Sequence, residues 1–437
     1  MTEETSNRVE AGAGSSGVES GKDNNEAGVA IIGFGTAGVN SVIGLRTGGY
    51  DGKIDVFSDT NIRPYSPILT SYFIGDEKTY EECFPWTEDE LNDLNYELHP
   101  GAKVEKLDTK AHTVTTADGV FPYKKCVISI GAAPVAFGFP KTEGYEPLQL
   151  RTMDSALEFK KRIEDPSCKK ILISGASMIA LKSLEACLNH GLDCSLVGMN
   201  PHILDFNALP EAAVRFEKGL RSYGVNLRFG ETMKSVKVVN DERGKLEVEF
   251  SGGDIGYYDE IIVAHGVRSN YSFLEEGAID MDRGILVDEF MRTSDPDVYA
   301  AGDVVQSLEL ISKQNRIVGI WKNAARQGFT AGRAIAADIA GEPAPQEAAY
   351  KGSIPMNTIA VKDTLFISGG TMEVTDNRHV EVRETEDMTV VYVYEDKPDG
   401  GEKLVGFNVT CDHDEAGGDA YDTGAMLMLR LESGSRE

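Results

Sequence analysis

Gly33-Phe34-Gly35-Thr36-Ala37-Gly38 is a G-x-G-x-x-G hexamer that follows the apolar run VAII and opens the amphipathic stretch VNSVIGLRT. Between a strand and a helix the three glycines have separate uses. Gly33 permits a tight turn, Gly35 lets a pyrophosphate approach the backbone, and Gly38 lets helix and strand pack closely. Free N–H groups and partial positive charge at the helix start, around Thr36 and Ala37, would meet the diphosphate. The chemistry implied is dinucleotide binding. Further on, KIDVFSDT ends a second strand, and Asp59 is the nearest carboxylate for a ribose hydroxyl. A strand-end Asp also suits an ordinary turn, and both readings stay open.

A second, poorer turn reads Gly175-Ala176-Ser177-Met178-Ile179-Ala180-Leu181-Lys182. Ala180 adds one methyl at the helix–strand contact, a tolerated change. Ser177 is small, and its hydroxyl is able to donate to a phosphate. The following strand ends in Leu196-Val197-Gly198-Met199, with no acid for an adenosine ribose and only His202, rather than an Arg, for a 2′-phosphate. A choice between NADH and NADPH therefore has no residue behind it. Lys182 either pairs with Glu185 one turn along or faces a ligand.

These turns need two βαβ units to position them. Strand, glycine turn, helix and strand run from Gly28 to Ser58, and the rhythm repeats from Lys169 through KKILISG, MIALKSLEACLNHG and CSLVG. The two starts lie about 140 residues apart, which suggests two nucleotide domains, one inserted into the other. The expected fold is α/β, with two Rossmann-like dinucleotide-binding domains of the three-layer ββα type and a C-terminal α+β domain. The first domain takes residues 28–148 and 255–342, the second 149–254, and the third 345–437. Residues 1–27, rich in Gly, Ser, Glu and Asn, read as a disordered acidic tail.

Lys plus Arg total 43 against 71 Asp plus Glu, a net charge of −28 that argues against nucleic acid or an anionic membrane as partner. No apolar run is long enough for a membrane span, and the start MTEETSNRVE resembles no secretion signal, so a cytoplasmic location is expected. Six scattered cysteines form no C-x-x-C pair, and seven histidines form no H-x-x-x-H pattern. They read as core thiols and leave metal chemistry unsupported. The acidic stretch DHDEAGGDAYD fits no EF-hand and reads as a solvated turn.

Four further stretches resemble the flavoprotein family of glutathione-reductase-like enzymes, NADH oxidases, ferredoxin and rubredoxin reductases and the nitrite reductase large subunit. CVISIGAAP (residues 126–134), with Gly131, resembles the turn where the chain leaves the flavin domain. TSDPDVYAAGDV (residues 293–304), with Gly302 and Asp303, resembles the second flavin fingerprint, whose Asp bonds the ribityl chain. WKNAARQGFTAG (residues 321–332), with Trp321 and Ala324, resembles the helix beside the isoalloxazine, and Gly266 in AHGVRSN the return from the nicotinamide domain. Read without the resemblance, Asp303 is a helix N-cap and Trp321 a core aromatic.

The same resemblance sets this chain apart. In RPYSPILTSYFIG the redox-cysteine position falls on Ile68, which has no sulfur to accept electrons. Pro67 and Tyr72 replace an Arg and a Lys of ferredoxin reductase-like members, Tyr72 being either a ring contact or core filler. Lys182 replaces the Glu near the nicotinamide. Cys83 is read as a buried or surface thiol. The resemblance implies an FAD-dependent NAD(P)H oxidoreductase that passes electrons to an external acceptor without a redox disulfide, with no catalytic side chain named. The alternative is an FAD-bearing subunit of a larger complex with a degenerate nicotinamide site. The partners implied are a nicotinamide nucleotide, an electron-acceptor protein or complex, and a second copy through the C-terminal domain.

Overall fold

The computed structural model describes residues 27–136, 138–413 and 416–435; the expected tail, up to residue 26, lies outside them. Eight α-helices are numbered along these residues: α1 Thr36–Thr47, α2 Leu69–Ile74, α3 Glu88–Asn92, α4 Met153–Ile163, α5 Met178–Asn189, α6 Pro210–Ser222, α7 Trp321–Ala340 and α8 Gly417–Ser435.

In the first unit, strands Glu97–His99, Ile54–Phe57, Gly28–Ile32, Gly119–Ile128 and Val298–Ala300 lie side by side in that order and run parallel. Gly28–Ile32 is buried throughout, as a central parallel strand requires. The first half of Gly119–Ile128 also pairs antiparallel with Thr113–Thr116, which pairs with Val104–Asp108. The result is three layers. Val39, Val42 and Leu45 of α1 and Ala331, Ala334 and Ile335 of α7 fill one side of the sheet, and Val114 and Tyr123 of the antiparallel ribbon fill the other.

The second unit repeats the plan, with parallel strands Asn226–Phe229, Asp193–Gly198, Lys170–Ser174 and Glu260–Val263 and an antiparallel trio Met233–Asp241, Gly244–Phe250 and Ile255–Tyr258. The expected boundary at residue 255 is corrected here. Ile255–Tyr258 pairs with Gly244–Phe250, and Glu260–Val263 pairs with Lys170–Ser174, so residues 255–263 complete the second unit. Leu148, expected to end the first unit, already donates its N–H to Ile261. The chain returns at Val267–Arg268, which pairs antiparallel with Ala133–Pro134 on the way out. The two crossings thus form one short ribbon.

The C-terminal unit is a five-stranded antiparallel sheet, ordered Met356–Val361, Thr364–Gly370, Glu402–Cys411, Met388–Asp396 and Arg378–Glu384, with Leu427 and Leu431 of α8 packed on it. Its other face meets the second unit, where Phe366 sits edge-on to Phe216 of α6 with centroids 6.3 Å apart. Arg215 of α6, largely buried, donates to the carbonyls of Thr385 and Glu386, to the Thr389 hydroxyl and to Asp412. No helix among the described residues is long and apolar enough to cross a membrane.

The far end of α7 is tied to the first sheet by Asp338, whose carboxylate takes the Lys125 ammonium and, at 3.1 Å, the Tyr299 hydroxyl. Burial works against the charge, but Lys125, Tyr299 and Arg292 outweigh it and hold the carboxyl below its ordinary value. The ionised form is therefore the one that stabilises the fold. Asp338→Asn is expected to melt at a lower temperature than the wild type at pH 7. The gap should close as pH falls below about 4, where the unfolded carboxyl and then the folded one take up protons. Thermal unfolding across pH checks this, and a gap independent of pH would contradict it.

Candidate functional site

The first glycine turn separates constraints set by the protein from one the protein does not set. Gly33 has φ +95°, and a Cβ there would fall 2.6 Å from the Ser129 carbonyl oxygen. A Cβ on Gly38 would fall 2.2 Å from the Gly33 carbonyl oxygen. Both positions need glycine for packing. Gly35 has ordinary φ, and a Cβ there would meet nothing within 4 Å, so the chain itself gives no reason for its being glycine. A group brought against the backbone from outside does. No side chain caps α1 and no acid lies in its first turn, which leaves the amides at its start facing outward. The Thr36 hydroxyl is buried without a hydrogen-bond partner. An anion seated on this helix start supplies the missing acceptor, so the residues fit a dinucleotide diphosphate.

Gly302, Asp303 and Ala324 lie beside that start. A Cβ on Gly302, at φ +87°, would sit 3.2 Å from the Ala37 side chain and 3.6 Å from that of Ala324. Gln327, fully buried in α7, fixes the turn by accepting the Gly302 N–H at 2.8 Å while donating to the Ser307 hydroxyl. Strand Val305–Leu308 follows Asp303, so the N-cap reading of Asp303, and the helix start expected beside its carboxylate, are both corrected. The carboxylate instead takes one N–H of Arg151 at 3.0 Å, and Arg151 also donates to the Ala132 carbonyl at 2.8 Å. Gly131, at φ +64°, lies against the same guanidinium, and its carbonyl takes the Ser269 hydroxyl. Arg151 was missed in the sequence because no glycine or acid marks it. Only its place directly before an N-capping Thr152 hinted that its side chain would project from a fixed helix start.

Asp59 is exposed, two residues beyond the end of its strand. Trp321, the first residue of α7, is half-buried against Trp86, with centroids 5.9 Å apart and planes 30° from parallel. Gly266 is exposed at φ +99°, and its carbonyl accepts the Val135 N–H in the crossing ribbon.

The second turn is built otherwise. Gly175 has φ +120°, and a Cβ there would fall 2.4 Å from the Ala264 carbonyl oxygen, so this glycine is needed by the fold. Ser177 caps α5, accepting from the Ala180 N–H at 3.4 Å and donating to the Ala264 carbonyl at 3.3 Å. Its hydroxyl, expected to be available to a phosphate, is thus engaged within the chain. Lys182 pairs with Glu185 and lies 4.0 Å over the ring of Tyr72. The pair is no surface contact, since the two side chains are 17% and 10% exposed. Burial raises the pKa of Glu185 against the pull of Lys182. His202 is held by Glu217 at 3.1 Å, while Met199, at the end of the strand, is 72% exposed.

A family profile described as pyridine nucleotide-disulphide oxidoreductase matches residues 27–328. The chain belongs to this family. The NADH oxidase of Methanocaldococcus jannaschii is 29% identical over 70% of this chain and 69% of its own length. The NADH-dependent phenylglyoxylate dehydrogenase subunit epsilon of Aromatoleum evansii is 26% identical over 81% of each chain. Among solved structures, the water-forming NADH oxidase of Lactobacillus brevis bound to NADH superposes with TM-score 0.79 at 20% identity, over 93% of this chain and 91% of that one. The putidaredoxin reductase of a covalent complex with putidaredoxin gives 0.77 at 20%, over 93% and 94%. This member of the pyridine nucleotide-disulphide oxidoreductase family is accordingly a flavin- and nicotinamide-dependent oxidoreductase.

Ile68, where the resemblance leads one to expect the redox cysteine, is 55% exposed at the start of α2. Cys83 is wholly buried and donates to the Leu69 and Thr79 carbonyls, and burial pushes its thiol pKa up. Such a thiol stays protonated and is a poor nucleophile. All six cysteines are buried and unpaired.

The hydroxyl of Thr36 offers a direct test. Thr36→Val removes a buried group that the polypeptide leaves unpartnered, so the flavin-free protein should be as stable as wild type or more so, by up to about 1 kcal/mol. Flavin affinity should fall roughly tenfold or more, the worth of one hydrogen bond to a charged group. Calorimetric titration of flavin-stripped protein, beside thermal melts, checks both. An unchanged affinity would remove Thr36 from the site.

Proposed function

We propose that this chain is an FAD-dependent NAD(P)H oxidoreductase that passes electrons from nicotinamide through the flavin to an external acceptor, with no protein disulfide as intermediary. The observation that carries the reading is the uncapped start of α1, where the Thr36 hydroxyl has no partner in the chain and Gly35 has no internal reason to be glycine. Bound there, FAD supplies the two-electron chemistry that no side chain of the site offers. In this reading the amides of Thr36, Ala37 and Gly38 hold the diphosphate, Asp59 takes a ribose hydroxyl and Asp303 takes the ribityl hydroxyls. Arg151, 3.0 Å from the Asp303 carboxylate, holds it in place. Trp321 and Ala324 line the ring end, where stacking on Trp86 makes Trp321 stiff.

The second unit presents the nicotinamide dinucleotide from the turn at Gly175. With Ser177 engaged in its own cap, backbone amides and helix polarity do the holding, without a ribose acid to favour NADH or a basic residue to favour NADPH. NAD(P)H gives up a hydride and leaves as NAD(P)+; the two electrons then pass one each to two molecules of a one-electron acceptor, and the proton is released to solvent. Relatives named rubredoxin-NAD(+) reductase and putidaredoxin reductase point to a small redox protein as acceptor.

A second reading has its own support. The self-capped α5, the Lys182–Glu185 pair and the relative named as subunit epsilon of a dehydrogenase suit an FAD-bearing subunit whose second unit serves assembly rather than nicotinamide binding.

Purified protein is expected to show the visible flavin bands and to bleach promptly when NADH or NADPH is added without oxygen. A yellow protein indifferent to both nucleotides would replace the enzyme reading by the subunit reading. A colourless protein that cannot be reconstituted with FAD would defeat both.

A further inference from the structure

Tyr72 and Lys182 are two places where this chain departs from the stretches it otherwise resembles, neutral where a Lys stands and basic where a Glu stands. They lie 110 positions apart in the chain, yet the fold brings them together. The Lys182 ammonium sits 4.0 Å over the Tyr72 ring, within reach of the attraction between a cation and the negative face of an aromatic ring.

The contact is held from two further sides. Glu185 takes the Lys182 ammonium, and its other oxygen accepts the Lys362 N–H at 3.3 Å, from the turn between the first two strands of the C-terminal sheet. Tyr72 belongs to the first unit, Lys182 and Glu185 to the second and Lys362 to the third, so all three units meet at the Lys182–Glu185 pair.

Neither departure works alone. With Lys at 72 and Lys at 182, two ammonium groups would share a contact distance in a half-buried place. With Tyr at 72 and Glu at 182, a second carboxylate would crowd Glu185 with no cation to serve either. Like charges so placed, and a buried charge left unpaired, are both costly. Changed together, the two positions again attract each other.

We propose that Tyr72 and Lys182 form a positioning pair, a cation held over an aromatic ring, that fixes α5 of the second domain against α2 of the first and so aligns the nicotinamide with the flavin. This rests on the enzyme reading above. Lys182 touches neither reacting atom in the proposal; it sets the distance across the seam, and small misplacements across such a seam are expensive in rate.

The test is a double exchange in the FAD-loaded protein: Tyr72→Lys, Lys182→Glu, both together, and the conservative Tyr72→Phe. Anaerobic stopped-flow reduction by NADH and by NADPH separates the limiting rate from the apparent dissociation constant, and hydrogen exchange follows the amides of residues 69–74 and 178–189. Each single exchange should lower the limiting rate by about tenfold or more, with a smaller change in dissociation constant, and should speed exchange in both segments. The double exchange should return to within about threefold of wild type, since coupled neighbours are not additive. Tyr72→Phe, which keeps the ring, should match wild type. Losses that multiply in the double variant, or a Tyr72→Phe as slow as Tyr72→Lys, would overturn the pair. If a single variant fails to fold, Lys182→Gln takes its place, with the same slowing expected and an unchanged rate counting against the pair. A wild type that neither nucleotide reduces would instead overturn the enzyme reading, and the alignment role with it.

Discussion

Two helix backbones in near contact govern the architecture of the first unit. A Cβ on Gly328 would fall 2.1 Å from the Ala37 carbonyl oxygen, one on Gly332 would fall 2.1 Å from that of Ser41, and one on Gly44 would fall 2.4 Å from that of Phe329. Glycines on both helices let α1 and α7 approach more closely than any side chain permits. Because α7 is tied at one end to the sheet through Asp338 and carries Gln327 and Ala324 in its first half, this approach brings the Gly302–Asp303 turn to the start of α1. Helix packing thus sets where the turns that carry the site meet, and contacts such as Gln327 to Gly302 and Arg151 to Asp303 fix those turns.

Against that frame of close packing the two glycine turns behave as opposites. The first keeps its helix start open, uncapped and with a buried hydroxyl unpartnered, an arrangement that costs stability unless something polar arrives from outside. The second closes itself: Ser177 satisfies Ala180 and Ala264, and Lys182 is matched by Glu185 and the Tyr72 ring. The first turn leaves a side-chain hydroxyl for a ligand to complete, whereas the second uses its own hydroxyl within the chain and leaves only backbone amides to a ligand. That asymmetry fits a permanently held cofactor in the first unit and a dinucleotide that comes and goes in the second.

Much of this was legible in the sequence, for physical reasons that differ by residue. Gly33, Gly38 and Gly175 could be read because backbone geometry demands glycine and strand–turn–helix context locates it. Asp303 was legible through its neighbours, but the element after it was not: VVQSLEL is compatible with helix or strand by local preference, and pairing with Asn315–Arg316 and Ile285–Leu286 decides for strand. Which sheet takes Glu260–Val263 is decided by pairing with Lys170–Ser174, about 90 residues back in the chain, so the boundary expected at 255 fell in the wrong unit. Arg151, Gln327 and the stacking of Trp86 on Trp321 were hidden because each depends on residues far along the chain. The small size of Ser177 was readable, whereas the Ala264 carbonyl that engages its hydroxyl was not.

The most direct measurement is a crystal structure of the protein reconstituted with FAD. The diphosphate should lie against the amides of Thr36, Ala37 and Gly38, with the Thr36 hydroxyl donating to it and Asp303 on the ribityl chain. A dinucleotide seated instead at the Gly175 turn, or a Thr36 hydroxyl still without a partner in the flavin-bound protein, would contradict the account.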